Sequence, residues 1–338
     1  MNASFQSRND DPADLPLEGR QELIVENCVD PTHDDDTTSI DLDALFSAAP
    51  LPALPQSAVR LLEISQDSQK GPDDFAEVLQ YDPALASQVL RFVNSSYFGF
   101  RNKLSSVRQG ITLVGIRTIK NFVLWTAVFS AAPDPKCSVF ALESFRHDAL
   151  RRGLFAKSLG RLLDAEDLDE TFTAALLQDI AVPFLVKEFS EQYTALLQQR
   201  KDDCIRLSQL EREKFGRMHS DAAHTLFERW NLPSKISDLV QSHTDVDKLI
   251  VQPGCKAETL AVALSSMLPA DCDHEWHECE RLDEYYRRIE IDRAPTLQEL
   301  LVEVDQAFVE IATSLGVGAD VCTLAERHAE ALREEAAS

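Results

Sequence analysis

The feature that most constrains this chain is a succession of short apolar stripes at helical spacing, each closed by proline, glycine or asparagine. Leu85, Val89, Phe92 and Val93 fall on one face of a segment opened by Asp82-Pro83, and Leu297, Leu300, Leu301, Val304, Phe308 and Ile311 mark another. Steps of three and four are what a helix buried on one side requires. Extended candidates are few and short. The pattern therefore predicts an all-α fold, a multi-helix bundle followed by a smaller C-terminal helical region. Helices are expected near 106–129, 139–163, 171–189, 191–200, 208–213, 215–230, 234–243 and 297–315, while 278–289 is a highly charged segment. The 106–129 stretch is too apolar for a surface element and belongs in the core. Asp169 is the expected N-cap of the 171–189 helix.

Charge divides the chain into regions. The net charge is -24, yet residues 1–50 carry twelve acids against two Lys or Arg, and residues 271–338 carry eighteen against six, so the middle is nearly neutral. The reading is an acidic flexible leader at 1–42, a helical body at 43–250 and an acidic C-terminal helical region at 251–338. Acidic ends repel phosphate backbones, so direct nucleic-acid binding is not expected. A basic side around Arg91, Arg101, Lys103, Arg108, Arg117 and Lys120 reads first as a solvated helix face. No apolar run approaches a membrane span, and seven scattered cysteines fit a reducing compartment. The expectation is a cytoplasmic chain with no membrane partner.

Four residues invite a metal reading, His147, Asp179, His219 and His243, because side chains on separate helices can converge on one pocket. A second set, Cys272, His274, His277 and Cys279, places two thiols and two imidazoles within eight residues. Such donors suit zinc, but the spacing is unusual, and a helix would set the two cysteines about two turns apart. An acidic surface helix with incidental cysteines is the plainer alternative. At the break from Asn94 to Gly99, Asn94 is expected to hydrogen-bond a turn, Tyr97 and Phe98 to pack on the core, and Gly99 to turn left-handed. The aromatic pair beside Arg101 and Lys103 is alternatively a docking edge. No glycine-rich phosphate loop is present, and no cofactor is implied.

In order along the chain, Leu54-Pro55, Tyr81-Asp82-Pro83-Ala84-Leu85, the run from Val89 to Gly99, Ile111-Thr112-Leu113-Val114-Gly115, Phe145-Arg146-His147, Gln178-Asp179, Phe215-Gly216-Arg217-Met218-His219 and Trp230-Asn231-Leu232-Pro233 resemble the HDOD domain. That family is the output-domain branch of the HD superfamily, and the resemblance covers roughly residues 43–250. It implies that His147 matches the first histidine of the HD pattern, Gln178-Asp179 the His-Asp pair, His219 a later ligand, and Ser242-His243 a His-His pair. Gln178 and Ser242 thus stand where imidazoles belong, and an amide oxygen is a poor substitute at a transition metal. The resemblance implies a non-catalytic signalling module. The expected function is a bacterial signal-transduction or adaptor protein that recognises a protein partner of unknown identity. The alternatives are a divergent metal-dependent phosphohydrolase and a nucleotide or small-molecule sensor using the vacated pocket around Gln178.

Overall fold

Aspartate and proline set the first turns. The computed structural model describes residues 53–65, 67, 69–273, 275–289, 294–315, 318 and 322–337; the expected leader lies outside them. Helix α1 (Gln56–Ser65) is followed by α2 (Pro72–Gln80) and α3 (Pro83–Val93). A proline in the first turn removes an N–H that no helix can pair. Asp82 caps α3 by accepting the Leu85 N–H at 3.0 Å, and its other oxygen accepts the Ser57 hydroxyl at 2.6 Å, tying α3 to α1. The Ser57 and Leu85 bonds hold the Asp82 carboxyl below the usual carboxylate range.

A 3₁₀ turn (Ser96–Phe98) follows, and then a departure from expectation. The single helix expected at 106–129 is two, α4 (Val107–Val114) and α5 (Ile116–Ala131), bent by 116°. Gly115 makes the corner at φ +99° and ψ 148°, a conformation a Cβ would strain. Helix α6 (Leu142–Leu162) leads to α7 (Leu168–Leu177). Asp167, not Asp169, caps α7, accepting the Asp169 and Glu170 N–H groups at 3.1 and 3.0 Å. Asp169 instead meets Lys157 Nζ at 3.1 Å and accepts from the Thr118 hydroxyl at 3.2 Å. The helix expected at 171–189 is also divided, because α8 (Val182–Glu188) starts only after a turn at 178–181.

Next come α9 (Ser190–Asp203), α10 (Leu207–Phe215), α11 (His219–Arg229), α12 (Ser234–Ser242) and the short α13 (Val246–Leu249). The C-terminal part holds α14 (Ala257–Ser265), α15 (Cys279–Arg288), α16 (Leu297–Leu315) and α17 (Leu324–Ala337). The fold is all-α: among the described residues the sole β feature is an isolated bridge between Cys137 and Phe140.

Helix α6 is the axis. Phe145, Leu150, Leu154, Phe155 and Leu159 are buried along it, and α7, α14 and α16 pack directly on it. Helix α16 also touches α3 and the 3₁₀ turn, so the C-terminal helices share one hydrophobic core with the first ones. No single helix among the described residues is long and apolar enough to cross a membrane; α4 and α5 reach that length only as the bent pair.

Helix α7 packs tightly on Gly153 of α6, where a Cβ would lie 3.0 Å from the Phe172 ring and 3.2 Å from Leu176 Cβ. The ring can yield, but a Cβ moves only with its backbone. Gly153→Val is expected to destabilise the fold by about 1–3 kcal/mol through overpacking. Urea unfolding checks this, and an unchanged midpoint would contradict the close approach.

Candidate functional site

Three of the four sequence candidates meet. The chain leaves α7 after Leu177, and the turn at 178–181 carries Asp179 towards two histidines from later helices. His219 is the first residue of α11, where Asp221 reaches back to the Met218 N–H at 3.0 Å. His243 stands just past α12. Asp179 Oδ1 lies 3.2 Å from His219 Nε2 and 3.3 Å from His243 Nε2, and the two ring nitrogens are 3.1 Å apart. Among the described residues, this is the one group of three donors close enough to share an ion.

Two residues that the sequence reading missed complete the cluster. Arg152, from α6, donates through Nη1 to Asp179 Oδ2. Glu211, fully buried on α10, takes both the His219 Nδ1 at 2.6 Å and the His219 backbone N–H at 2.8 Å on one oxygen. Its other oxygen accepts the Tyr193 hydroxyl at 3.0 Å. The available signals were charged residues inside otherwise apolar helical stripes: Arg151-Arg152 between Leu150 and Leu154, and Glu211 beside Leu210.

The hydrogen bonds fix the proton positions. His243 Nδ1 donates to the Val240 carbonyl at 2.5 Å, leaving Nε2 as an acceptor, and burial holds this ring below the usual histidine range. Burial would also depress His219, but the Glu211 charge and the Asp179 hydrogen bond outweigh it and push the imidazolium up to about 10. Burial likewise favours a neutral Asp179, yet the Arg152 charge and the His219 hydrogen bond hold its carboxyl well below the ordinary value. On the neighbouring turn of α6, burial raises Asp148 to about 7 against the pull of Arg152.

The other candidates lie elsewhere. His147 does not join the cluster: its Nδ1 meets Asp271 Oδ2 at 2.9 Å, and its ring stands edge-on to Phe308 of α16. Asp271 turns it away, because the same carboxylate also binds Arg151 at 2.7 Å. Gln178 is 1% exposed and its amide oxygen accepts from Ser265 at 3.4 Å, while Ser242 donates to the Leu239 carbonyl at 3.0 Å. Neither supplies the matching imidazole's donor.

The zinc set is not assembled among the described residues. Residues 271–273 and 275–278 form turns and not the helix considered; Cys272 is exposed, while Cys279 is buried at the start of α15. His277 Nδ1 lies 3.8 Å from Glu275, and His274 falls outside the described residues.

At the Asn94–Gly99 break, Asn94 binds the Leu90 and Leu104 carbonyls at 2.8 Å each and accepts the Leu104 N–H at 2.7 Å. It thereby splints the loop. Gly99 is left-handed, and Phe98 packs edge-on against Phe92 at 5.1 Å. Tyr97 and Phe98 are half-buried, and Arg101 and Lys103 are exposed. Of the basic side, Arg108 pairs with Asp73, and Arg117 with Asp167 at 2.8 Å.

A cavity of about 350 Å³ lies against the cluster, floored by Asp148, Arg152, Asp179, His219 and His243 and walled by Phe140, Leu207, Met267 and Trp276. Arg200 and Arg206 brace its rim. Arg200 forks onto Asp273 at 2.5 and 2.8 Å, and Arg206 meets Glu278 at 3.4 Å.

An all-α body with an Asp-His-His remnant at its centre defines an HD-type domain whose metal-ligand cluster is incomplete. The chain belongs to the HDOD domain family, a signal-transduction family of the HD superfamily, whose model matches residues 51–246. An uncharacterized protein of Treponema pallidum (strain Nichols) is 23% identical over 198 residues, 56% of this chain and 37% of the relative. The chain thus spans little more than a third of the curated relative it matches. Among solved structures, an HDOD domain protein with unknown function from Geobacter sulfurreducens aligns over 88% of this chain and 93% of its own, at 18% identity and TM-score 0.58. A Shewanella amazonensis SB2B protein provisionally named a phosphohydrolase aligns over 81% and 97%, at 18% and 0.62. A Marinobacter aquaeolei VT8 protein provisionally named for signal transduction aligns over 92% and 68%, at 17% and 0.60. At these identities the likeness is one of fold.

Donor chemistry does not fit the metal centre of an HD hydrolase. Three donors remain, the matched positions Gln178, Ser242 and His147 add none, and the single carboxylate is already paired with Arg152. The His219 ion pair carries a pH signature. Its raised pKa contributes stability that is fully present below about pH 6.5, the ordinary imidazole value, and is lost as pH rises through about 10. The unfolding free-energy gap between wild type and His219→Gln should therefore be widest near pH 6 and shrink towards pH 10; a flat gap would contradict the pairing.

Proposed function

We propose that this chain is a non-catalytic bacterial signalling module that acts as an adaptor through protein–protein recognition. The observation that carries the reading is the incomplete cluster. Metal-assisted phosphoester hydrolysis needs an ion to activate water, and here Arg152 pairs with the one carboxylate while Gln178 and Ser242 turn to internal partners. The working unit is the HDOD-like helical domain at 43–250, with the acidic helical region at 251–338 packed on it. Free cysteines such as Cys137 and Cys204 support a cytoplasmic setting. The net charge of -24 favours a protein partner over nucleic acid.

The recognition edge we assign is formed by Tyr97, Phe98 and Arg101, with Asn94 holding its loop. Half-buried aromatics beside an arginine are the residue types that dominate interface energetics. A photo-crosslinking residue at position 101 should trap a discrete protein in the native host, and Phe98→Ala should abolish the adduct. The same probe at the exposed Glu213 should trap nothing comparable. Equal labelling from both positions would remove the assigned edge.

The cavity beside the cluster favours a second reading, a sensor of a nucleotide or other small molecule, since its volume falls within the range of small-ligand sites. The phosphohydrolase name of the Shewanella protein supplies a third. It is tested with bis(4-nitrophenyl) phosphate and Mn²⁺: no turnover is expected, and turnover abolished by Asp179→Asn would overturn the non-catalytic reading.

A further inference from the structure

The two oxygens of Asp179 keep different company. Oδ1 forms a triangle with His219 Nε2 and His243 Nε2, with edges of 3.1 to 3.3 Å. A tetrahedral ion with bonds of about 2.1 Å holds its donors about 3.4 Å apart, so this triangle is nearly the face of such a site. Glu211 orients His219 from behind, as carboxylates do for metal-bound histidines. Three donor positions and an orienting group are thus in place, and an ion bound there would displace the His219 Nε2 proton. The difference lies at Oδ2, where the Arg152 guanidinium binds the carboxylate that an ion would need.

Arg152 is built for that position. It is 8% exposed, it reaches the cluster from the central helix α6, and its Nε has no partner among the described residues. A guanidinium keeps its charge at every physiological pH and cannot itself ligate a metal, having no lone pair to offer. A carboxylate whose side chain is only 18% exposed needs a compensating cation.

We propose that Arg152 is the resident cation of the Asp179–His219–His243 cluster, a side chain that occupies the electrostatic role of a divalent ion and excludes that ion. The cluster is then a permanently metal-free joint. It fastens α6, the turn after α7, α11 and the end of α12 to one another whatever the supply of metal. The inference concerns the cluster alone and holds whether or not the Tyr97–Phe98–Arg101 edge recognises a partner.

The test is Co²⁺ titration, because tetrahedral Co²⁺ absorbs visibly and reports its own geometry. Arg152→Met removes the charge while keeping the bulk and should gain one equivalent of tetrahedral Co²⁺. The double variant Arg152→Met/Asp179→Asn should lose it. Wild type should bind at least about 100-fold more weakly, given the repulsion between a buried guanidinium and an adjacent divalent ion. Wild-type Tm should respond neither to Co²⁺ nor to chelator. Co²⁺ bound by wild type as tightly as by Arg152→Met, with a band that His243→Ala removes, would overturn the proposal. So would a folded Arg152→Met variant that binds none. Should Arg152→Met not fold by itself, Co²⁺ or low-millimolar guanidinium ion should restore its thermal transition while K⁺ does not; failure of both cations is equally fatal.

Discussion

Charge burial on α6 is the constraint on which the rest of the molecule depends. His147, Asp148, Arg151 and Arg152 are 5%, 6%, 2% and 8% exposed. An ionised group removed from water without a partner costs more than the packing of one helix can offset. Each of the four is therefore bound to chain outside α6. Arg152 takes Asp179 after α7, and His147 and Arg151 share Asp271 after α14. Arg151 also donates to the Cys322 carbonyl before α17, and Asp148 accepts the Asp271 N–H at 2.9 Å. The helix that would be easiest to bury if it were apolar instead acts as the hub joining the matched domain to the helices beyond it.

That arrangement changes the meaning of the acidic C-terminal region. Counted along the chain, its excess of Asp and Glu looks like a surface for steering partners. In three dimensions four of its eighteen acids face arginines of the nearly neutral middle: Asp271 on Arg151, Asp273 on Arg200, Glu278 on Arg206 and Glu303 on Arg161. Asp305 is turned inward as well, accepting the Leu324 and Ala325 N–H groups at the start of α17. The asymmetry in sequence is in part the record of an intramolecular seam. The enclosed pairs along it, with Arg151 2% and Asp271 11% exposed at the side chain, bear more on the fold than the exposed Arg161–Glu303 pair does.

Helical periodicity made the all-α fold legible, since stripes such as Leu297, Leu300, Leu301, Val304, Phe308 and Ile311 have one economical interpretation. Boundaries were less legible, for local reasons. Gly115 sits between two apolar runs, and periodicity does not register a backbone that turns 116° while its side chains stay buried. Asp167 and Asp169 are both good caps by type, and only the positions of Thr118 and Lys157 decide which one faces the helix and which one faces a neighbour. In the site, the ordered motifs named Asp179, His219 and His243, and the fold brings these three donors together. His147 was matched to the same pattern, but Asp271, more than a hundred residues away, holds its ring elsewhere.

By itself, the sequence determined that this chain is a helical bundle of HDOD character and that two imidazoles of the ancestral pattern are gone, because residue types at helical spacing are local information. Tertiary structure alone decided what replaced them. Arg152 and Glu211 carry no motif, and their roles exist only because α6, α10, α11 and the turn after α7 converge around Asp179 and His219. Which cation answers that carboxylate is a question of distance in three dimensions, on which spacing along the chain is silent.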